Sequence, residues 1–308
     1  MRLSIASVAA LFTGFAAIAA AQRAPNRDSL VVSTAWLANH LGDANVVVLQ
    51  VGDRADYDKQ HIPGARAVAL DDISVSDRTG NGLTLEMPPA EQLHESLAKL
   101  GISDDSRVVV YYDRDRVTAA TRLMFTLDYA GLGGRSALLD GGMGAWTRDG
   151  RTTTSAASPA KTGQLSALKI RPIVATAEDV RARLARASVS IVDARATAFY
   201  DGSQTGSGRA GPHRTGHIAG AKSVPYSGIL NETLTLKSTE QLAALFSTAG
   251  VAQGDTVIGY CHIGQQATAM LFAARLTGHP VVLYDGSFED WSRHADFPVD
   301  DPAAKGRP

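Results

Sequence analysis

Apolar and polar positions along the chain alternate between short apolar runs and longer amphipathic stretches. Val46-Val47-Val48-Leu49, Arg107 to Tyr112, Val189 to Val192 and Thr256 to Tyr260 read as buried strands, rich in β-branched and aromatic residues. Between them, Glu91 to Leu100 and Thr239 to Ala249 carry the spacing of helices with one apolar face. Strands that are apolar throughout, interleaved with helices, predict an α/β chain in which parallel β-sheets are flanked by helices on both faces.

The same pattern is written twice. His61-Ile62-Pro63-Gly64-Ala65 returns as His217-Ile218-Ala219-Gly220-Ala221, with an apolar strand upstream and another downstream of each copy. Both halves then close on an aspartate-glycine corner followed at the same interval by a tryptophan, Asp140-Gly141 with Trp146 and Asp285-Gly286 with Trp291. Such self-similarity predicts one domain used twice, over 25–150 and 165–302, with the tryptophans as core anchors. The stretch 151–164, rich in Thr, Ser and Ala and without periodicity, is the expected linker.

Composition narrows the function classes. Thirty basic residues stand against thirty-one acidic ones, with no basic run or interleaved aromatic pattern, so nucleic acid is not an expected partner. Arg2, the apolar run from Leu3 to Ala20 and the small residues before Gln22 have the form of a cleaved secretory signal over 1–21. The expected location is therefore periplasmic or secreted. No later segment is apolar enough to span a bilayer, so no membrane contact is expected after cleavage.

Export sharpens the meaning of Cys261, the one cysteine in the chain. In an oxidising compartment cysteines are usually spent in pairs, and this one has no internal partner. It is either an inert buried thiol or a thiol kept for chemistry. Its position at the end of an apolar strand, before Gly264 and a helical stretch, lets loop N–H groups and the helix's positive end converge on the sulfur. Such surroundings are expected to lower a thiol pKa from its ordinary value of about 8.5 by one to several units.

Aligning the halves on Tyr57 with Tyr200 and on Tyr112 with Tyr260 places Asp113 opposite Cys261, Gln50 opposite Asp193 and Gly52 opposite Arg195. The first half thus reads as an inactive copy beside a working one. The ordered set Asp193-Ala194-Arg195, Gly216-His217-Ile218-Ala219-Gly220-Ala221, the Cys261 loop and Asp285-Gly286-Ser287 with Trp291, echoed in the first half, resembles the two-domain rhodaneses. These are sulfurtransferases of the thiosulfate or 3-mercaptopyruvate type, built from two tandem rhodanese-like domains.

The resemblance implies that Cys261 takes the outer sulfur of a small donor, becomes a persulfide and is discharged by an acceptor such as cyanide or a thiol. It implies no cofactor and no metal. By the same resemblance Arg195 binds the donor's anionic end, where a guanidinium has the advantage of a forked geometry; the plainer alternative is a surface arginine paired with Asp193 or Asp201. The loop residues His262, Ile263, Gly264, Gln265 and Gln266 line the substrate site, Asp193 orients the loop, and His217 holds a turn through ring hydrogen bonds.

Departures from the family pattern leave the donor open. Thiosulfate users commonly follow the cysteine with Arg and Lys, and mercaptopyruvate users with Gly and Ser; this chain has His262 and Ile263. Ile263 removes a cation, and His262 restores charge only where protonated, near an ordinary pKa of about 6.5. Rhodanese-like phosphatases place an arginine six residues after the cysteine, where this chain has Ala267, which disfavours phosphatase chemistry. A cysteine protease would need a histidine such as His217 or His279 in reach, but the local motif does not resemble that family. The stretch from Gly202 to Gly216, with Arg209, His213 and Arg214, has no equivalent in the first half and is expected as a positively charged lid or a solvated loop. A non-catalytic sulfur carrier, loading a persulfide for a partner protein, is the rival reading.

Overall fold

The computed structural model describes residues 27–304 apart from 78, 80, 81, 160, 209 and 210. The expected signal segment 1–21 lies outside the described residues, as does Arg209. Among the described residues no helix is long and apolar enough to cross a membrane.

In chain order the first half supplies strands β1 (Val31–Val32), β2 (Val46–Val51), β3 (Arg66–Val68), β4 (Arg107–Tyr112) and β5 (Ser136–Leu139). They form a parallel sheet in the order β1-β5-β4-β2-β3. The second half supplies β6 (Val174–Ala175), β7 (Val189–Asp193), the short pair β8 (Ser207–Gly208) and β9 (Gly211–Pro212), β10 (His217–Ile218), β11 (Lys222–Ser223), β12 (Thr256–Tyr260), β13 (Val281–Tyr284) and β14 (Val299–Asp300). Its main sheet, β11-β7-β12-β13-β6, is also parallel and has the same order read from the other edge. The central strands β4 and β12 are buried along nearly their whole length, as their unbroken apolar sequences require of sheets covered on both faces.

Three apolar layers result. Trp146 with Tyr57 and Tyr111 fills the outer face of the first sheet, and Trp291 with Tyr260 and Phe288 that of the second. Between the two sheets a single cluster runs through both halves, from Leu49 and Val110 to Val257 and Leu271. Its centre is the contact of helix Val117–Tyr129 with helix Gln265–Leu276, where the hydroxyls of Thr121 and Thr268 meet at 3.1 Å. Both helices are buried on almost every side, which explains their scarcity of charged residues.

Each half reaches into the other in a reciprocal way. Met87 N donates to Asp285 at 2.6 Å, and Leu236 N donates to Asp140 at 2.8 Å. Leu234, with φ of 61°, presents its carbonyl to the Tyr112 hydroxyl of the opposite half, whereas Leu85, with the same φ, presents its carbonyl to Arg122 of its own half, which in turn reaches Asp285 across the interface. The segment 151–164 lies against the first half, with His61 and Thr154 exchanging backbone hydrogen bonds and Gly163 N donating to Ala98 O at 2.8 Å.

Candidate active site

Sheet order fixes where chemistry sits. The connections after β7 and after β12, which are neighbours, leave in opposite directions, and the crevice at their carboxyl ends is a switch point suited to ligands. Asp193 is the last residue of β7 and pairs in register with Tyr260, the last of β12; Cys261 follows at once.

The Cys261 backbone is clamped by the corner after β13. Cys261 N donates to Ser287 Oγ at 3.1 Å, the Ser287 hydroxyl donates to Tyr284 O, and Phe288 N and Glu289 N donate to Cys261 O and His262 O, each at 3.0 Å. Gly264 then turns the chain into helix Gln265–Leu276 at φ +81°, and a Cβ there would lie 2.8 Å from Asp285 Oδ1 and 3.2 Å from Arg122 Nη1. Only glycine fits this left-handed, crowded position. The turn brings the N–H groups of Ala267, Ile263 and Gln266 onto the sulfur.

Cys261 has no exposed surface, and this reverses the expected direction of its pKa. Burial pushes the thiol up, and Asp193 adds to the rise, while the three N–H donors work against it. Desolvation of the charged form outweighs the cradle because the sulfur is enclosed on every side.

Asp193 and Arg195 form a buried pair. The Arg195 backbone N and Nε donate to Asp193 Oδ1 at 2.9 and 3.0 Å, Nη2 donates to Oδ2 at 2.6 Å, and Nη2 also donates to Gly216 O at 2.8 Å. The guanidinium carbon lies 4.1 Å from the centroid of Phe288. The alternative of a surface arginine is therefore corrected, since Arg195 is only 1% exposed, and its partner is Asp193, not Asp201. With Nε and Nη2 committed, any anion Arg195 attracts must be met by Nη1 or by its charge alone.

His217 is a turn-holding residue. Its Nδ1–H donates to Tyr200 O at 2.7 Å, and its ring stacks on Tyr200 at 3.7 Å. His61 does the same with Tyr57 in the half that lacks a thiol, at 2.7 and 3.9 Å. His262 carries no charge at neutral pH: burial, with Arg195 and His213 nearby, pushes its pKa down to about 4. The condition under which it would restore a cation, protonation near an ordinary pKa of about 6.5, is therefore not met at neutral pH. Ile263 is partly buried beside it, the Gln265 amide donates to Thr118 Oγ1 across the two halves at 3.2 Å, and Gln266 Oε1 is buried without a protein partner.

The stretch from Gly202 to Gly216 is exposed at Ser203, Gln204, Thr205, Ser207 and Pro212, as a solvated loop would be, while His213, Arg214 and Thr215 turn toward the protein. Arg214 Nη1 donates to His294 O at 3.1 Å and to Phe297 O at 2.7 Å, and Thr215 bonds Asp301, so both are committed to the protein. His213 is turned inward and its pKa lies below the ordinary value because of burial.

Superposing the repeat on the sheet registers corrects the assignment of the inactive position. Gln50 pairs with Tyr111 as Asp193 pairs with Tyr260, and Ile62 N donates to Tyr111 OH as Ile218 N donates to Tyr260 OH, both at 3.1 Å. Tyr111 is thus the counterpart of Tyr260, and Tyr112, not Asp113, stands where the second half has Cys261. Asp113 is opposite His262.

Sequence reasoning missed three contributors. Ser287, quoted only as part of a motif, holds the cysteine backbone. Arg122, fully buried on a helix of the first half, donates from Nη1 to Asp285 Oδ1 at 2.5 Å and so braces the corner beneath the loop. His213 was seen only as part of an insertion. No local pattern marks Arg122 or His213, because Arg122 meets Asp285 from 163 residues away and His213 is placed by a hairpin whose inward face only the fold sets.

A lone enclosed thiol at a parallel-sheet switch point, held by backbone N–H groups in the second of two like domains, defines a cysteine-dependent tandem-domain protein. The model of the Rhodanese-like domain matches residues 33–149 and again 176–294. The chain belongs to the rhodanese family and is a sulfurtransferase. It is 31% identical over 279 residues to a thiosulfate sulfurtransferase of Rattus norvegicus, covering 86% of this chain and 92% of that protein. It is 30% identical over 280 residues to a 3-mercaptopyruvate sulfurtransferase of Escherichia coli (87% and 97% covered) and to the sulfur carrier protein TtuD of Thermus thermophilus (88% and 96%). Among solved structures, that of YnjE matches with a TM-score of 0.79 and 25% identity, over 91% of this chain and 70% of the other.

Proposed function

We propose that the protein moves a sulfane sulfur from a small anionic donor to a nucleophilic acceptor through a persulfide on Cys261. The observation that carries this reading is the convergence of the Ile263, Gln266 and Ala267 N–H groups on the Cys261 sulfur. With thiosulfate, the Cys261 thiolate forms a bond to the outer sulfur, the bond from that sulfur to the sulfonate breaks, and sulfite leaves with the electron pair. The outer persulfide sulfur then carries the negative charge, within reach of the same N–H cradle. Cyanide or a thiolate attacks that sulfur, the S–S bond breaks, and the pair returns to Cys261 as thiolate. With a mercapto keto acid the departing enolate takes up the thiol proton instead.

The first half-reaction needs the thiolate. Because burial holds the Cys261 pKa above its ordinary value, the thiolate fraction grows as pH rises, and donor loading is expected to accelerate from neutral pH upward. Steady-state rates at varied donor and acceptor are expected to give the parallel double-reciprocal lines of a ping-pong reaction, lost in Cys261→Ala; converging lines would overturn the covalent route.

The sulfur-carrier reading draws on the likeness to the Thermus protein. The enclosure of Cys261 weighs against it, since a partner protein's thiol has to reach a sulfur with no exposed surface. We place the protein outside the cytoplasm, on the apolar N-terminal run; recovery of an uncleaved chain from the cytoplasmic fraction would contradict this.

A further inference from the structure

The segment between Tyr200 and His217 is where the two halves differ most in length. His61 follows its stacking tyrosine by four residues, whereas His217 follows Tyr200 by seventeen. The added chain forms the hairpin of β8 and β9, anchored below by Arg214 and Thr215 and closed on itself by His213 N to Gly206 O at 2.9 Å. What this hairpin carries inward is His213, 7% exposed, with neither ring nitrogen bonded to any protein group.

Two unpartnered nitrogens on one buried ring are uncommon, because each lost partner costs about 1–3 kcal/mol. A phenylalanine would fill the same space without that cost. The surroundings belong to the sulfur site: the His262 ring is 5.9 Å away and the Phe288 ring 6.3 Å, and Glu289, Arg195 and Arg293 are the charges that act on His213. Gly206 lets the hairpin come this close, since a Cβ there would stand 2.7 Å from His262 Nδ1 and 3.2 Å from His213 Nδ1.

We propose that His213 is a specificity-determining residue of the sulfur-transfer site, donating a hydrogen bond from its neutral ring to a leaving-group oxygen of the donor. That oxygen belongs to the sulfonate of thiosulfate or the carboxylate of a mercapto acid. The inference rests on Cys261 being the sulfur acceptor. It also accounts for the loop chemistry: Ile263 and the neutral His262 supply no cation, and Arg195 is largely committed to Asp193, so a neutral donor takes over the recognition of oxygen. As Cys261 forms its bond to the outer sulfur and the sulfonate departs with the electron pair, the hydrogen bond meets the charge left on its oxygens.

The test compares loading of Cys261 by thiosulfate and by inorganic polysulfide, which has no oxygen, following the added sulfur by intact mass. His213→Phe keeps a ring against Phe288 and is expected to lower the rate constant per unit thiosulfate by about ten-fold or more, a charge-assisted hydrogen bond's worth, leaving polysulfide loading unchanged. His213→Gln, which restores a neutral N–H donor, is expected to recover part of the loss. Equal loading by His213→Phe and the unsubstituted protein would overturn the proposal, and so would an equal loss with both donors, which marks a packing role. If the unsubstituted protein loads with polysulfide but not with thiosulfate or 3-mercaptopyruvate, the reading of His213 fails while that of Cys261 stands. If it loads with none of them, both fail.

Discussion

The two halves share their sheet order, their tyrosine–histidine stack, their aspartate-glycine corner and their buried tryptophan, yet only one of them holds a thiol. At the switch point of the first half, Tyr112 takes the place of Cys261, Gln50 that of Asp193, Gly52 that of Arg195 and Gly142 that of Ser287. The Tyr112 ring fills the position, and its hydroxyl spans the interface to Leu234 O at 2.6 Å. The loop beyond is also two residues longer, counted from Tyr112 to Thr121 and from Cys261 to Thr268, the threonines that meet at the interface. A cleft of about 430 Å³ lies at this end of the first half, lined by Gly52, Asp53, Leu70, Arg116 and Gln265, whereas Cys261 is sealed. The difference teaches that the fold supplies a crevice and a loop, and that a handful of side chains converts one copy to sulfur chemistry and the other to an interface wall.

The largest expected effect follows from that contrast. Cys261→Ala should reduce sulfur transfer to background, and adding Tyr112→Cys to it should not restore transfer, because the longer loop, Asp113-Arg114-Asp115-Arg116, lacks the glycine turn that Gly264 makes after Cys261. Rescue by Tyr112→Cys, seen in a discontinuous turnover assay, would show that the loop difference does not matter.

Next comes the asymmetry of the two corner aspartates. Asp285 is paired with the fully buried Arg122, while Asp140 meets Arg27 at 3.7 Å where both are partly exposed. Arg122→Met leaves a carboxylate buried and unpaired and should cost about 3–5 kcal/mol of unfolding free energy in denaturant titration. Arg27→Met should cost about 1 kcal/mol or less. Equal costs would remove the distinction.

Glu86 sharpens the same interface through pH. Burial, with Asp285 close by, raises its pKa from the ordinary 4.5 to about 8. The folded state therefore holds a proton that the unfolded state releases earlier. Its contribution is fully present below about 4.5 and is lost as pH rises to about 8. Melting temperature should fall across that window, and Glu86→Gln should flatten the fall; an identical slope in the variant would contradict the assignment. The smallest effect is expected from Tyr112→Phe, which loses one interdomain hydrogen bond, worth about 1 kcal/mol in stability, with transfer activity unchanged.

Much of this was legible in the sequence, and the rest was hidden for physical reasons. Apolar runs marked the central strands because sheets covered on both faces leave no polar alternation, and the repeat exposed the tandem architecture. The counterpart of Cys261 was misplaced by one residue because Tyr111 and Tyr112 both match Tyr260 by type. Sheet register decides between them, since a one-residue slip sends a side chain to the opposite face. The direction of the Cys261 pKa was also misjudged: the helix N-terminus and its N–H groups are local and readable, but the burial that outweighs them is contributed by distant elements. Arg122 and His213 escaped notice for the same reason. Each is defined by a partner, or by a missing partner, that only folding brings near.

The central claim is that sulfur enters the second half alone and stays on Cys261 between two half-reactions. Its most direct test is the intact mass of the protein after incubation with thiosulfate and removal of excess donor. A gain of one sulfur atom is expected, discharged by cyanide and absent in Cys261→Ala; no gain with thiosulfate, 3-mercaptopyruvate or polysulfide, or a gain that persists in Cys261→Ala, would contradict the account.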